Sequence, residues 1–311
     1  MLRRTISSCF RQVFAMPVCP TVHFNGALMP LAEARISPMD RGFLFAHAAY
    51  EVTAVYGGRF VDLDGHIARL TRTLTGIVLP NPHSAAGWEA LHTELIVQNG
   101  LTEGLVYLEV TGGTYDTRDF AGPDTFVPTV FAYADEKPLI GAVAQHGIKA
   151  VFLNDSRWKR RDMKTTQLLS QALAYRAARE QGAETAFMVE DGFVTEAASA
   201  NAWIVTKAGE IITRDLSPAI LPGITRAGVM ALRQKGGFTI TERAFTPDEA
   251  VNAAEVFTTS AGAMIAPVTH LDGQPIAGGK PGPVTRKIQR LYYEAMGADV
   301  ASAAPWALEQ V

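Results

Sequence analysis

Hydrophobic residues recur along the chain at two spacings, which predict a protein built from both strands and helices. Val22 and Phe24 alternate with polar residues before an Asn25-Gly26 pair, a pattern typical of a β-hairpin. The β-branched and aromatic run 50–56 predicts a strand, and Asp64 followed by helical spacing predicts a capped helix. The same criteria predict strands over 105–111, 129–134, 148–152, 185–190, 193–195, 202–206, 211–213 and 255–259, and helices over 64–76, 84–98, 165–181, 221–236 and 283–296.

The order of these elements predicts two domains of mixed α/β type. The Lys137-Pro138-Leu139-Ile140-Gly141 stretch shifts to a Pro/Gly composition between two strand-rich regions, so we expect a linker at 137–141. A small α/β domain would then cover 21–136, and a large domain would cover 142–296. We expect residues 1–20 to form a disordered extension and the Pro- and Ala-containing tail 297–311 to fray.

Composition narrows the class of protein. Residues are 48% hydrophobic and 19% charged, which is ordinary for a globular chain with ample core. A net charge of -3 argues against nucleic-acid binding, because the one dense basic cluster, 157–161, lies beside acidic segments. No apolar run reaches the length of a membrane span, so we expect no membrane partner.

The cysteines and the first fifteen residues bear on where in the cell the protein is located. The two cysteines, Cys9 and Cys19, exclude a disulfide framework and a Cys-rich metal site, so we predict a cytoplasmic protein without a metal. Residues 1–15 contain three arginines and no acid, which overlaps with organelle transit peptides. We favour a true start near Met16, or a disordered extension, over a targeting signal.

The stretch 157–169 carries the strongest candidate for chemistry, Lys164. Helical spacing resumes at Thr165, so we predict that Lys164 lies in the first turn of a helix with Asp162 among its capping residues. The positive end of the helix dipole and three nearby cations disfavour a further ammonium there. A neutral lysine can form a Schiff base with a carbonyl, as pyridoxal phosphate chemistry requires. The alternative is a solvated basic run before a surface helix.

Pyridoxal phosphate also needs an anion site for its phosphate and a partner for its pyridine nitrogen. Gly223, Ile224 and Thr225 lie at a predicted helix start, where free backbone N–H groups bind anions. Ser260 after a strand and Arg69 on a helix could add phosphate contacts, and Glu196 at a strand end could keep the pyridine nitrogen protonated. Each residue also has an ordinary interpretation, as a plain helix start, a turn, a surface arginine or a solvated glutamate.

Taken together, the motifs resemble those of class IV aminotransferases, and most closely the D-amino-acid transaminase branch. The resemblance covers Val22 to Tyr293 and is specific because several spaced motifs agree in order. The motifs are Asp40-Arg41-Gly42-Phe43, Tyr50-Glu51-Val52, His66-Ile67-Ala68-Arg69-Leu70, Asp162-Met163-Lys164, Val194-Thr195-Glu196, Asn201, Leu221-Pro222-Gly223-Ile224-Thr225-Arg226 and Pro281-Gly282-Pro283.

The resemblance implies a fold-type IV pyridoxal phosphate enzyme. Its fold would be α/β and α+β, with a small α/β domain, a larger domain containing a pseudo-barrel, the cofactor in the cleft between them, and a homodimer. Carried over by position, Lys164 resembles the Schiff-base lysine and Glu196 the pyridine-nitrogen partner. The remaining cofactor contacts would be Arg69, Ile224, Thr225, Ser260 and Leu221, and the substrate contacts would be Tyr50 and Arg118, the latter reaching across the dimer.

Three departures from the family pattern concern substrate fit and phosphate binding. Phe120 stands where some D-specific members have a histidine two residues after the arginine. His47-Ala48 replaces the usual Asp-Gly, and His47 could be an acid/base residue or a structural one. Ala197-Ala198 replaces a Gly-Ser run, and Gly262 replaces a frequent hydroxyl residue. None of these changes involves Lys164 or Glu196.

We therefore predict a transaminase that moves an amino group from a D-amino acid of the D-alanine type to 2-oxoglutarate or pyruvate. Branched-chain L-amino-acid or (R)-amine transamination is the nearest alternative on the same scaffold. A lyase resembling aminodeoxychorismate lyase and a non-catalytic dimer that binds pyridoxal phosphate are further alternatives. The partners expected are small-molecule amino donors and 2-oxo acids, together with a second copy of the chain.

Overall fold

The computed structural model describes residues 18–308. The predictions for residues 1–17, including a start near Met16, lie outside the described residues, as do those for 309–311. Residues 18–20, which we expected in the extension, belong instead to the first strand. The division into two domains at 137–141 stays a prediction.

The first part of the chain forms a six-stranded antiparallel sheet of order β2-β1-β6-β5-β3-β4. Its strands are β1 (Val18–Phe24), β2 (Ala27–Pro30), β3 (Ala48–Tyr56), β4 (Arg59–Phe60), β5 (Glu103–Thr111) and β6 (Thr129–Glu136). Three helices lie between these strands: α1 (Arg41–Phe45), α2 (Leu63–Gly76) and α3 (Ala85–Asn99). Leu70 and Leu74 of α2 and Trp88 and Leu95 of α3 are buried in one core with the sheet. Burial stabilises by about 1.5–3 kcal/mol for each such aliphatic side chain.

Within the described residues, nine strands form the second sheet, of order β12-β11-β10-β13-β14-β7-β8-β9 with β15 on β14. They are β7 (Ile148–Asn154), β8 (Thr185–Glu190), β9 (Phe193–Ala197), β10 (Asn201–Val205), β11 (Ile211–Thr213), β12 (Ile240–Glu242), β13 (Glu255–Ser260), β14 (Met264–Leu271) and β15 (Gln274–Pro275). The helices are α4 (Ala142–His146), α5 (Leu169–Glu180), α6 (Ile224–Ala231), α7 (Arg233–Gly236), α8 (Pro247–Val251), α9 (Pro283–Ala295) and α10 (Val300–Ala303).

The two sheets share buried contacts. Ala54 of β3 and Val61 pack in one cluster with Trp203 of β10 and Phe257 of β13. This shared core holds the first sheet against the second.

Local sequence signals predicted the first hairpin correctly and the start of α2 incorrectly. The hairpin is confirmed: Phe24 pairs with Ala27, and Asn25 and Gly26 take positive φ values of 48° and 90°. The predicted cap at Asp64 is wrong, because α2 begins at Leu63 and Asp62 precedes it without a side-chain cap.

The C-terminal tail is packed where it is described, so the predicted fraying is wrong for residues 297–308. Helix α10 and a 3₁₀ turn, Pro305–Ala307, follow α9. Ala304 is fully buried and Ala307 is 3% exposed, both in the core that the two sheets share. Between residues 18 and 308, no helix is long and apolar enough to cross a membrane. A cytoplasmic location stays a prediction.

Candidate active site

Lys164 lies outside any helix, contrary to the sequence prediction. Helix α5 begins at Leu169, and the residue before it has no side-chain cap. The segment around Lys164 is instead extended along β3: Tyr50 N–H donates to the Lys164 carbonyl at 3.0 Å, and Thr165 forms a β-bridge with Ala49. These long-range backbone bonds outweigh the local helical pattern, so the dipole argument for Lys164 does not apply.

The side chain of Lys164 is half-buried and lies against a tyrosine of the first sheet. Its Nζ is 4.0 Å from the centroid of the Tyr50 ring. Tyr50 is itself stacked on Tyr107, and Tyr107 on Tyr133, with ring centroids 5.6 and 4.9 Å apart. This ladder of rings supports Tyr50 from the sheet side, so the amine is held over a fixed surface.

Glu196 lies in β9, and donors from three residues contact its buried carboxylate. Its carboxylate is in contact with the Arg157 guanidinium, and it accepts a 3.0 Å hydrogen bond from Asn201 Nδ2 and a 3.2 Å bond from the Leu221 N–H. Burial raises the pKa of Glu196 above its ordinary value, and the charge and hydrogen bonds of Arg157 offset part of that rise. Glu196 is therefore a strong, fixed hydrogen-bond acceptor.

The basic run 157–161 is largely neutralised rather than solvated. Arg157 and Arg161 are buried, at 9% and 4% exposure, and each contacts Asp155. Burial alone would lower the pKa of Arg157, but Glu196 and Asp155 raise it above its ordinary value. The two arginines thus hold carboxylates in place and do not act as free cations beside Lys164, as the sequence argument had assumed.

The start of α6 offers free backbone donors. Gly223 precedes the helix without a side-chain cap, and Ile224 and Thr225 form its first turn. A Cβ at position 223 would collide with Asn201 Oδ1, so only glycine lets the backbone lie this close to the Asn201 side chain. Because no side chain caps this helix start, the N–H groups of its first turn are available to an anion.

Arg69 reaches this helix start from α2. Its Nη1 donates to the Pro222 carbonyl at 3.1 Å, while Nε and Nη2 bind the Glu51 carboxylate at 2.8 and 2.7 Å. His66 Nδ1 lies 2.8 Å from the same carboxylate. Burial alone would raise the pKa of Glu51, but Arg69 and His66 together hold it well below its ordinary value. Glu51 thus stays ionised and fixes the guanidinium beside the start of α6.

One cavity of about 1520 Å³ connects these groups. Eight of the nine predicted site residues line it: Tyr50, Arg69, Lys164, Glu196, Leu221, Ile224, Thr225 and Ser260. The cavity is lined from both sheets, with Tyr50 on β3, Glu196 on β9 and Ser260 on β13. An amine, an uncapped helix start and a buried carboxylate thus open onto one volume.

Arg118 is the exception, because it does not line this cavity. Its guanidinium lies over the rings of Phe45 and Phe120, 5.1 and 4.9 Å from their centroids, on an exposed loop. Arg41 holds the loop by donating to the carbonyls of Asp119 and Phe120 at 2.6 and 2.8 Å. Within one chain, Arg118 therefore makes no contact with the candidate site.

His47 does not line the cavity and instead supports the side chain of Arg41. Arg41 Nε donates to His47 Nδ1 at 3.2 Å, and the Nε2 of His47 lies 2.8 Å from the Ile77 carbonyl. An accepting Nδ1 requires the proton on Nε2, and burial lowers the pKa of His47. Both ring nitrogens of His47 are thus engaged by protein groups, and the side chain does not line the cavity.

Sequence reasoning missed the residues that hold the functional groups. Arg157, Glu51 and His66 received no role, although Glu51 and His66 lie within motifs that were recognised. These residues act through ion pairs and hydrogen bonds with residues far away in the sequence. Such pairs become visible only in the folded chain. Among the described residues, no cluster of three or more His, Cys, Asp or Glu side chains could hold a metal ion.

Comparison with known proteins gives a family for most of the chain. Residues 48–271 match the amino-transferase class IV family. A D-alanine aminotransferase of Bacillus licheniformis is 36% identical over 280 residues, which is 90% of this chain and 98% of that protein.

Solved structures share the fold. The branched-chain amino acid aminotransferase of Escherichia coli superposes with a TM-score of 0.81 at 23% identity, covering 89% of this chain and 94% of that one. A branched-chain amino acid aminotransferase from T.th. with pyridoxamine 5'-phosphate also gives 0.81 at 23% identity and the same coverage. This likeness confirms the predicted fold.

Proposed function

This chain belongs to the amino-transferase class IV family, and we propose that it is a pyridoxal phosphate-dependent transaminase that moves an amino group from a D-amino acid to a 2-oxo acid. The observation that carries the proposal is the single cavity onto which Lys164, Glu196 and the start of α6 open. The D-alanine aminotransferase relative, matched over 98% of its length, supports a donor of the D-alanine type. The acceptor would be 2-oxoglutarate or pyruvate.

The residues present fit pyridoxal phosphate. The start of α6, Arg69 and Ser260 would hold its phosphate, because a dianion suits free helix N–H groups beside a guanidinium. Glu196 would accept a hydrogen bond from the protonated pyridine nitrogen, and Lys164 would form the covalent link. When bound, the cofactor supplies an aldehyde for that link and a ring that withdraws electrons from the substrate's Cα.

Lys164 would also move the proton. When it is not linked to the cofactor, the Lys164 Nζ would act as general base at the substrate's Cα and later as general acid. The Tyr50 ring, 4.0 Å from Nζ, limits where the amine can go. The hydrogen bond from the Tyr50 N–H to the Lys164 carbonyl and the bridge between Thr165 and Ala49 tie this segment to β3 and would keep the lysine over the cavity.

The substrate carboxylate would be bound from a second chain. We base this on Arg118, which sits on an exposed loop outside its own cavity, and on the exposed Phe43, Phe120 and Val127 on or near the same loop. In a homodimer these side chains would be covered and Arg118 would enter the partner's site. Tyr50 would line the substrate side within each chain.

A hybrid dimer tests this arrangement. K164A and R118A are each expected to be nearly inactive alone, whereas co-expressed chains should regain activity, because one of the two sites in the hybrid then has both native residues. Light scattering should give the mass of two chains. A hybrid without regained activity, or an active preparation with the mass of one chain, would contradict the proposal.

A donor screen tests the reaction itself. Both enantiomers of alanine, glutamate and valine are tried against pyruvate and 2-oxoglutarate, and we expect D-alanine with 2-oxoglutarate to be among the fastest pairs. Activity on L-valine with none on D-alanine would instead support branched-chain transamination, which the fold of the Escherichia coli enzyme favours as second candidate. Release of pyruvate without an acceptor would indicate a lyase, and cofactor binding without any half-reaction would indicate a non-catalytic protein.

A further inference from the structure

Five buried or half-buried lysine and arginine side chains line the cavity: Arg69, Arg157, Arg161, Lys137 and Lys164. Each arginine has a carboxylate within 4.0 Å. Among the described residues, neither lysine has one. Lys164 is the candidate for the covalent link, so Lys137 is the one remaining cation of the five without an assigned task.

Lys137 lines the cavity and directly follows the last residue of β6. Its backbone N–H donates to the Glu103 carbonyl at 3.3 Å, and its side chain faces the turn between β13 and β14. A Cβ on Gly262 would lie 3.8 Å from Lys137 Nζ and 3.5 Å from Leu105 Cδ1. The missing side chain at Gly262 therefore leaves room beside the ammonium, next to Ser260.

The surroundings of Lys137 favour an anionic ligand. Burial lowers its pKa, and the charge of Asp135, which lies beyond salt-bridge distance, works in the opposite direction. The Asp135 carboxylate does not neutralise the amine by contact, so a half-buried cation is left facing open volume. A carboxylate entering that volume would gain a charge-assisted hydrogen bond and restore local neutrality.

We propose that Lys137 binds the second carboxylate of a dicarboxylic substrate, such as D-glutamate or 2-oxoglutarate. The proposal rests on the transaminase function above and adds the residue that would favour dicarboxylic over monocarboxylic substrates. One carboxylate is already assigned to Arg118 of a second chain, and Lys137 lies within the cavity of its own chain, so the two cations suit a substrate with two anionic ends. A monocarboxylate such as pyruvate has no group for Lys137.

Substitution K137M tests the proposal because it removes the charge and keeps much of the length. A hydrogen bond to a charged group corresponds to about tenfold to hundredfold in affinity. We expect the ratio of kcat/KM for 2-oxoglutarate to that for pyruvate to fall by about this factor, mostly through KM, and K137R to recover part of it. K207M, at an exposed turn, is the control and should keep the wild-type ratio.

An unchanged ratio in K137M would overturn the proposal. An equal loss with both acceptors would also overturn it, because Lys137 would then contact the carboxylate that both acceptors share. A loss of cofactor affinity in K137M with an unchanged ratio would place Lys137 at the phosphate and would likewise overturn it.

Calorimetry separates this inference from the proposed reaction. Glutarate and butyrate have similar lengths but two and one carboxylates, and neither carries an amino or oxo group. We expect the cofactor-loaded wild-type protein to bind glutarate about tenfold or more tightly than butyrate, and K137M to lose that preference. If the donor screen fails while this preference holds, the reaction is wrong and the site stands. If the screen succeeds and wild type shows no preference, the site is wrong and the reaction stands.

Discussion

Replacement of Lys164 by alanine is expected to lower turnover about ten-thousandfold or more. The amine is proposed both to link the cofactor and to move the Cα proton, and general acid–base catalysis alone contributes about a hundredfold to ten-thousandfold. An alanine at this position can perform neither the covalent link nor the proton transfer. The protein should also lose the yellow absorbance of a lysine-linked cofactor, which a spectrum of the purified protein would check.

Lys159 provides a matched control in the same segment. Its side chain is 80% exposed, pairs with Glu190 and lies outside the cavity, so K159A is expected to keep near-wild-type turnover and colour. Borohydride reduction followed by peptide mass spectrometry locates the linked lysine directly. Multiple turnover by K164A, or a label on Lys137, the other unpaired lysine that lines the cavity, would refute the assignment.

The substitution E196Q is expected to lower turnover by about a hundredfold to a thousandfold while the cofactor remains attached to Lys164. An amide keeps the shape of the side chain but removes the charge that would hold the pyridine nitrogen protonated. Removal of one fixed electrostatic partner of a transition state costs about this factor. Turnover is compared with the absorbance of bound cofactor, so that loss of chemistry is separated from loss of binding.

A second carboxylate serves as the control for this variant. Glu190 pairs with Arg161 of the same basic run but lies outside the cavity, so E190Q should keep most of the turnover. Because Glu196 also contacts Arg157, thermal melting of both variants checks that the fold persists; Asp155 still pairs with Arg157 in E196Q. Wild-type turnover in a folded E196Q protein would exclude the proposed role.

Local patterns were reliable where one short segment decides its own structure. The Asn25-Gly26 hairpin formed as predicted because both turn residues accept positive φ, and the helix after Ser84 formed because its side chain caps the Gly87 N–H. Spaced motifs also identified the family and eight residues that share one cavity. Their roles stay predictions until the variants above are measured.

Local patterns failed where distant segments compete for the same backbone. Leu168, Leu169 and Leu173 have helical spacing, yet the residues before them pair with β3, so Lys164 is presented from an extended segment. Leu169 and Leu173 are 73% and 55% exposed, so that spacing did not mark a buried face in the single chain. The spacing of apolar residues does not specify which other segment they pack against.

The amino-acid sequence by itself determined the mixture of strands and helices, the family and the chemical groups available: an amine, a carboxylate and a glycine before a helix. Tertiary structure alone decided which charges neutralise one another. Arg157 with Glu196, and Arg69 with Glu51, are pairs joined across 39 and 18 residues. Coulomb attraction depends on distance in space and on burial, neither of which is written in the order of residues. For that reason Lys137 stood out, among the described residues, as a cation without a carboxylate partner only after the buried arginines around the cavity had been matched with theirs.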